Sequence, residues 1–414
     1  MQNDKKRKIM ILGAGEYQVP IIEKAKSEGL YTIVVSPEGP YPGLDIADKV
    51  FFYDVKDQEN ILKAAKGECI DGITTDQTDI PIRTVAYIAE QMKLPGIGTD
   101  AARLFTDKFL MREKCRETGL HTLKYDLVGS IEEAKHFTKH VGYPVVMKPV
   151  DNQGSRGVFR INNNDDLKKY FTRSIKYSLS GGIIIEECIE GDEFVVESVI
   201  YEKIYHDLTV GDTHHFNLKH SFIPKRRLFP SVKDPAVIRK LAEIDKTIIE
   251  AFGLNRGLTH GEYIADKKSG KIYLIEIGAR GGGVNISSHI IPALTRFDSE
   301  KFLLDISLGK DVIFSVTEIS DSVAGYIAFY LPEGEIVDLE GVDEINEIKS
   351  VIKHNLNRLK VGQSIHAIED KTSRKTIIVT ARTRAELFKA IKKIEKTLTI
   401  KIKTKRGYAY PIWN

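Results

Sequence analysis

Cysteine is scarce in this sequence, and the three present, Cys69, Cys115 and Cys188, are odd in number and widely spaced. Without a CxxC pair they form neither a disulfide framework nor a cysteine zinc site, which points to a reducing compartment. Long hydrophobic runs are missing too. The apolar stretch after Lys5-Lys6-Arg7-Lys8 ends at Gly13, too short for a signal-peptide core or a membrane span. Neither sign of charge dominates. The 61 basic residues nearly cancel the 58 acidic ones, so no global field favours nucleic acid or an anionic membrane as the main partner. Internal repeats and low-complexity tracts are absent. What is present is 42% hydrophobic content over 414 residues, enough for two or three domains. The expectation is a globular, cytoplasmic protein.

The first hundred residues alternate short apolar runs with helical patterns. Strands are expected at Ile9 to Leu12, Thr32 to Val35, Val50 to Tyr53 and Ile70 to Thr74, with helices from Gln18, Gln58 and Asp79. That order predicts a doubly wound parallel sheet over residues 1–98, closed by Pro95-Gly96-Ile97-Gly98. Helices around Ala101 to Thr118 open a second domain over 99–312. Its expected strands include Tyr143 to Lys148, Ile183 to Glu187, several between Phe194 and Thr213, and the pair Thr259 to Ala265 and Ile272 to Ile277. The last two read as a hairpin across Lys267-Lys268-Ser269-Gly270. A mixed α+β unit follows from residue 313 to 414.

Gly13-Ala14-Gly15 follows a strand and opens a helix, as a dinucleotide fingerprint requires. The third glycine is replaced by Gln18, and the second strand ends at Ser36 rather than at a carboxylate. A tight structural turn, or one that touches a substrate, is the expectation, not a nicotinamide or flavin site. Asp76, at the carboxyl end of a parallel strand, is a candidate substrate residue, with a plain loop and a helix cap at Asp79 as the blander reading.

The central region carries an ordered set of groups suited to a nucleoside triphosphate. Lys148 ends an apolar strand and precedes Asp151-Asn152-Gln153-Gly154-Ser155-Arg156-Gly157. A lysine on a rigid strand can meet phosphate oxygens while backbone N–H groups of such a loop close over them. Next come Glu186-Glu187-Cys188 and then Gly191-Asp192-Glu193, where a strand running into a turn offers backbone groups to a base and Glu193 a carboxylate to ribose hydroxyls. Glu262 and Glu276 lie on the two strands of the expected hairpin. Two carboxylates so close repel unless a cation lies between them, the physical case for magnesium. Arg280 and Gly281-Gly282-Gly283 follow, an arginine for developing charge and glycines for close approach to a ligand.

These residues resemble the ATP-grasp superfamily over nearly the whole chain, in the manner of carboxylate-amine (amino-acid) ligases, biotin carboxylase and the purine-synthesis enzymes of that type. The resemblance implies an α/β chain: a Rossmann-like N-terminal domain, an ATP-grasp domain with a mobile lid at about 120–190, and a small C-terminal domain. It implies ATP with magnesium, or manganese, as cofactors. Lys108, in Thr106-Asp107-Lys108, and Lys148 resemble the phosphate-contacting lysines, and Gly154, Ser155 and Gly157 the flap. Glu186 and Cys188 would lie at the adenine, Glu193 at the ribose, Glu262 and Glu276 on magnesium, and Arg280 at the transferred phosphate. One departure is Gly278, where many members have asparagine; Asn285 is the substitute considered.

The cationic stretch His214-His215, Lys219, His220, Lys225-Arg226-Arg227 suggests an anionic substrate, with Arg226 and Arg227 as its candidates because guanidinium binds carboxylates bidentately. The histidine pair lacks the partners of a zinc site. Near the C-terminus, Ile400 to Arg406 alternates apolar with basic residues, as a strand whose lysines guard a sheet edge. The resemblance further implies small-molecule carboxylate and amine partners, no nucleic acid, no membrane, and compatibility with a homodimer. The expected reaction is ADP-forming C–N ligation through an acyl phosphate. Alternatives are phosphorylation of bicarbonate or formate, a nucleotide-binding regulator without turnover, and an NAD-dependent oxidoreductase, which Gln18 disfavours.

Overall fold

The computed structural model describes residues 6–313, 321–366 and 373–413; Lys5 of the basic N-terminal cluster lies outside them. The N-terminal sheet is parallel, in the order Lys49–Phe52, Tyr31–Ser36, Lys8–Leu12, Gly72–Thr74. Its strands read as continuous Val/Ile runs because both faces are covered. Met10, Leu12, Ile33 and Val35 pack on one side against the helices Gln58–Glu68 and Ile82–Gln91. Ile9, Ile11 and Val34 pack on the other, in a core that also takes in Val195, Phe229 and Leu258 of the central sheet. Gln18 closes the first strand-to-helix turn: its amide donates to the Asp76 carbonyl at 2.8 Å, and a Cβ on Gly13 would meet it at 3.3 Å. Gln18 thus packs the turn, which with Glu16 and Tyr17 also lines a cleft.

Four antiparallel strands form a separate small sheet, in the order Tyr125–Val128, Ile183–Glu187, Val145–Pro149, Phe159–Ile161. The helices Ile131–Val141 and Asn164–Ile175 bury Phe137, Leu167 and Phe171 with it. A capping box, Ser130 with Glu133, starts the first of these helices, and the Asn163 side chain caps the second.

The large central sheet has eight antiparallel strands, in the order Ile272–Gly278, Arg256–Asp266, Gly191–Tyr201, Ile204–His215, Pro224–Phe229, Val323–Phe329, Lys375–Ala381, Val351–His354. Strands from both sides of residue 313 share it, so the C-terminal unit is continuous with the centre rather than a separate layer. The helix Pro235–Ala251, with Asp234 as its cap and Pro235 in its first turn, covers one face through Leu241, Ile248 and Ile249. A further sheet runs Ser364–Ile365, Gly334–Glu340, Thr399–Thr404, Gly407–Ala409. Ile400 and Ile402 are buried, as the alternation predicts, but Thr399–Thr404 lies between two partners. It is not an edge, and its lysines line the solvent face of an interior strand. No helix among the described residues is long and apolar enough to cross a membrane.

Candidate active site

The helix Lys108–Glu117 begins where the Asp107 carboxylate accepts N–H groups of Phe109 and Leu110 at 3.0 and 3.1 Å. This fixes Lys108 in the first turn and Arg112 one turn later on the same face. The Lys108 ammonium donates to the Asn152 carbonyl at 2.6 Å and lies 3.4 Å from Glu276. Arg112 is buried and bonds Glu186 at 2.6 Å, and Glu186 holds Lys148 at 2.5 Å. Two cations thus share one carboxylate. Burial alone would push the Glu186 carboxyl up, but Arg112 and Lys148 hold it at about 2. Burial also holds the Lys148 ammonium below its ordinary value, against the pull of Glu186 and with Arg112 and Lys108 repelling it. Glu186 lines the same cavity as Cys188, where the adenine is expected, and its carboxylate is taken by Arg112 and Lys148. It positions Lys148.

The loop after that strand turns back through left-handed residues Gly154 (φ 72°), Ser155 (φ 59°) and Gly157 (φ 73°). Gly157 is the position that admits no side chain, since a Cβ there would meet Pro149 at 2.8 Å. Gln153 ties the loop to the N-terminal unit, accepting from the Asp79 N–H at 2.7 Å and donating to Thr78 at 2.9 Å. The Ser155 hydroxyl donates to the Phe222 carbonyl at 3.3 Å. Lys108, Lys148 and Ser155 line one cavity with Cys188, Glu193 and both hairpin glutamates. Glu193 lies 3.3 Å from His215 at the cavity wall.

Glu262 and Glu276 are direct cross-strand partners, and a bulge just beyond them leaves both on the cavity side. Arg227 bonds Glu262 at 2.6 Å. No cluster of three or more His, Cys, Asp or Glu side chains forms a metal cage among the described residues. Two carboxylates sharing a cavity with two lysines instead suit a hard cation that takes its remaining ligands from a bound anion and water. The pair fits magnesium on those terms.

Behind the pair runs a buried chain that sequence reasoning missed. Arg227 bonds His260 Nε2 at 2.8 Å, His260 Nδ1 bonds Glu197, and Glu197 accepts the Gly282 N–H at 3.1 Å. Only tertiary structure brings these residues together. Arg112 and Gln153 were also missed; Arg112 was legible from its spacing of four residues after Lys108.

Arg280 lies in the cleft that adjoins the cavity and includes Glu262, Glu276, Gly154 and Arg227. The Asp79 carboxylate accepts from its Nε and Nη2 at 2.9 Å each. Burial would lower the guanidinium, but Asp79 raises it above its ordinary value. Asp79 is therefore not a helix cap; the helix starts at Ile82, after Pro81. The same carboxylate accounts for Gly278, because a Cβ there would lie 2.5 Å from Asp79 Oδ1. Gly281 and Gly282 are needed for protein contacts, with a Cβ meeting Ser287 at 2.1 Å and Glu197 at 2.5 Å, rather than for ligand approach.

Three substrate candidates are corrected. Asp76 is wholly buried and accepts the Gly281 N–H at 3.0 Å; burial raises its carboxyl to about 6. Asn285 is buried, its N–H bonded to Gln77 at 2.8 Å and its side chain to Ser288, and it lines neither cavity nor cleft. Arg226 and Arg227 are neighbours on one strand, so their side chains take opposite faces. Arg227 faces the cleft, whereas Arg226 lies over the Phe388 ring at 5.4 Å in a groove on the other side.

The ATP-grasp domain family matches residues 141–288. A formate-dependent phosphoribosylglycinamide formyltransferase of Methanocella arvoryzae is 24% identical over 284 residues, 66% of each chain. An alanine–anticapsin ligase of Bacillus subtilis is 27% identical over 276 residues, 61% of this chain and 57% of the ligase. The chain thus matches under two thirds of the length of these relatives. The crystal structure of an L-amino acid ligase from Bacillus licheniformis superposes with a TM-score of 0.82 at 20% identity, covering 96% of this chain and 99% of the other. With the matched segment, the superposition along the chain and the cleft in agreement, this protein has the ATP-grasp fold and carries an ATP-grasp domain at its centre.

Proposed function

We propose that this protein is an ADP-forming ligase that uses ATP with magnesium to join a carboxylate to an amine. The observation that carries the reading is the cross-strand pair Glu262 and Glu276, which shares one cavity with Lys108 and Lys148. Paired carboxylates for a cation and fixed ammonium groups for phosphates then stand together. An alanine–anticapsin ligase among the relatives supports the amide-forming version.

In this reading Lys108 and Lys148 hold phosphate oxygens, Gly154, Ser155 and Gly157 form the flap, and Cys188 and Glu193 flank the base and ribose. Glu262 and Glu276 would hold magnesium or manganese, which neutralises phosphate charge when bound. A carboxylate oxygen of the substrate attacks the γ-phosphorus as the bond to ADP breaks. Arg280, held by Asp79, stabilises the charge on the transferred group. The amine nitrogen then attacks the acyl carbon, phosphate leaves, and the nitrogen gives up its proton. The test is a matrix of carboxylates and amines with MgATP, scored by ADP release and product mass. Coupled ADP and amide support the reading. Labelled bicarbonate or formate in the product would replace it with the one-carbon alternative, and no ADP release with any pair would leave a regulator.

A further inference from the structure

The cleft that holds Glu262, Glu276 and Arg280 continues to a wall formed by the first strand-to-helix turn and the C-terminal strands. Its volume of about 470 Å³ suits a small organic substrate. Charge is unevenly placed along it. Three cations are matched by carboxylates: Arg280 by Asp79 at 2.9 Å, Arg227 by Glu262 at 2.6 Å and Arg358 by Glu16 at 3.2 Å. Beyond these pairs stand Arg374 and Lys375, which have no carboxylate within ion-pair distance among the described residues.

Arg374 is not a solvated surface charge. It is only 6% exposed, donates to the Pro224 carbonyl and lies over the Tyr326 ring at 5.1 Å. Those contacts fix its guanidinium without neutralising it. Lys375 adjoins it, and burial lowers the ammonium, with Arg358 adding to the shift and Glu16 opposing it. Among the described residues one carboxylate, Glu16, thus serves a wall with three cations. Arg374 and Lys375, withdrawn from water at one end of a cleft with the exposed Arg358 beside them, are unfavourable neighbours until an anion is placed among them.

We propose that the carboxylate substrate carries a second anionic group, a phosphate or another carboxylate, which docks against Arg358, Arg374 and Lys375 while its reacting carboxylate lies at Glu276 and Arg280. The inference rests on the carboxylate-activating reading of this cleft. The wall would repel a free ammonium group, which disfavours docking of an amine that has no anion of its own. Anchoring both ends fixes the acid's orientation toward the phosphoryl donor, and a planar guanidinium suits either anion.

The test uses the full chain with magnesium and the β,γ-methylene analogue of ATP present, so that the phosphate positions of the nucleotide are filled. Inorganic phosphate and succinate are then titrated calorimetrically. The expected result is binding of at least one, weakened at least fivefold by Lys375→Gln and by Arg358→Gln and further by the double substitution, with nucleotide affinity unchanged. The tighter of the two anions identifies the group. The inference is overturned if neither anion binds the nucleotide-loaded wild type or if the double substitution leaves binding intact. A second arm compares ADP release for monocarboxylic acids with acids of equal length ending in phosphate or carboxylate. A preference of at least tenfold in kcat/KM for the dianions, lost in Lys375→Gln, supports the inference. Equal use of monoanions overturns it and leaves the ligase reading standing, whereas Lys375-dependent anion binding without ADP release from any acid keeps the wall and removes the ligase reading.

Discussion

Glu262 and Glu276 oppose each other across a strand pair, yet their surroundings make the two substitutions unequal. Glu276 is 27% exposed, and its partner Lys108 keeps a bond to the Asn152 carbonyl when the charge is removed. Glu276→Gln is expected to abolish ADP-forming turnover with little change in melting temperature. Glu262→Gln should abolish turnover as well, but it leaves buried Arg227 without its carboxylate and should cost about 1–3 kcal/mol of stability. Normal ADP release from both variants would sink the metal assignment. Asp245 gives a pH-dependent case. Burial raises its carboxyl to about 6, against hydrogen bonds from Ser198, Tyr263 and Tyr205. A raised carboxyl means that the folded state binds the extra proton, so its contribution to stability falls as pH rises from the unfolded value near 4 to about 6. The loss is at most about 3 kcal/mol at 1.36 kcal/mol per unit. Asp245→Asn lacks this titration, so its stability relative to wild type should rise between pH 4 and pH 7 in urea melts; a constant difference would refute a proton held there. Lys148 was legible because it stands near the end of a readable strand, and Glu262 and Glu276 because they fall on the two strands of a readable hairpin, whereas Lys108 came from the resemblance carried by Thr106-Asp107-Lys108. Glu197, His260 and Asp79 were not, because their partners lie 63, 63 and 201 positions away.

Strand and helix placement followed the apolar periodicities closely, and the errors came where an element's neighbours mattered. Thr399–Thr404 reads as a half-buried strand, but no local signal reveals that Gly407–Ala409 folds back to cover its outer edge. Alternation on Pro224–Phe229 separates Arg226 from Arg227, although which face meets the cleft depends on Val323–Phe329 alongside. The glycine-rich loop allows a sharper statement. Gly154 and Gly157 have nearly the same positive φ, but a Cβ on Gly154 meets nothing within 4 Å while one on Gly157 would strike Pro149. An alanine at either position incurs the left-handed penalty of about 1–2 kcal/mol. Gly157→Ala must also displace the loop from the strand that carries Lys148. Gly157→Ala is therefore expected to lower kcat at least tenfold more than Gly154→Ala, measured by ADP release. Equal effects would mean that the loop's conformation alone matters and its seat on Pro149 does not.

The cleft exists only in the assembled molecule. Residues 76–79 from the N-terminal unit grip the loop after Ile272–Gly278, Gln153 joins the flap to Thr78 and Asp79, and Glu16 meets Arg358 from the C-terminal unit. The order of strands and helices was legible because their periods change along the chain. The sharing of one eight-stranded sheet across residue 313 was not, since pairing between Pro224–Phe229 and Val323–Phe329 spans about a hundred residues. This closure bears on the chemistry. A mixed anhydride of carboxylate and phosphate is hydrolysed if water reaches it, and a flap, a C-terminal wall and a fixed Arg280 around one cleft are what would shield it. If the acid is activated there, its own oxygen must leave with the phosphoryl group when the amine attacks. A substrate labelled with oxygen-18 in both carboxylate oxygens should place one label in inorganic phosphate per turnover and keep the other in the amide. Hydroxylamine offered in place of the amine should yield the hydroxamate of the same acid. Phosphate free of label, with no hydroxamate formed under turnover, would rule out the acyl phosphate, because no route through that species leaves both carboxylate oxygens out of the phosphate.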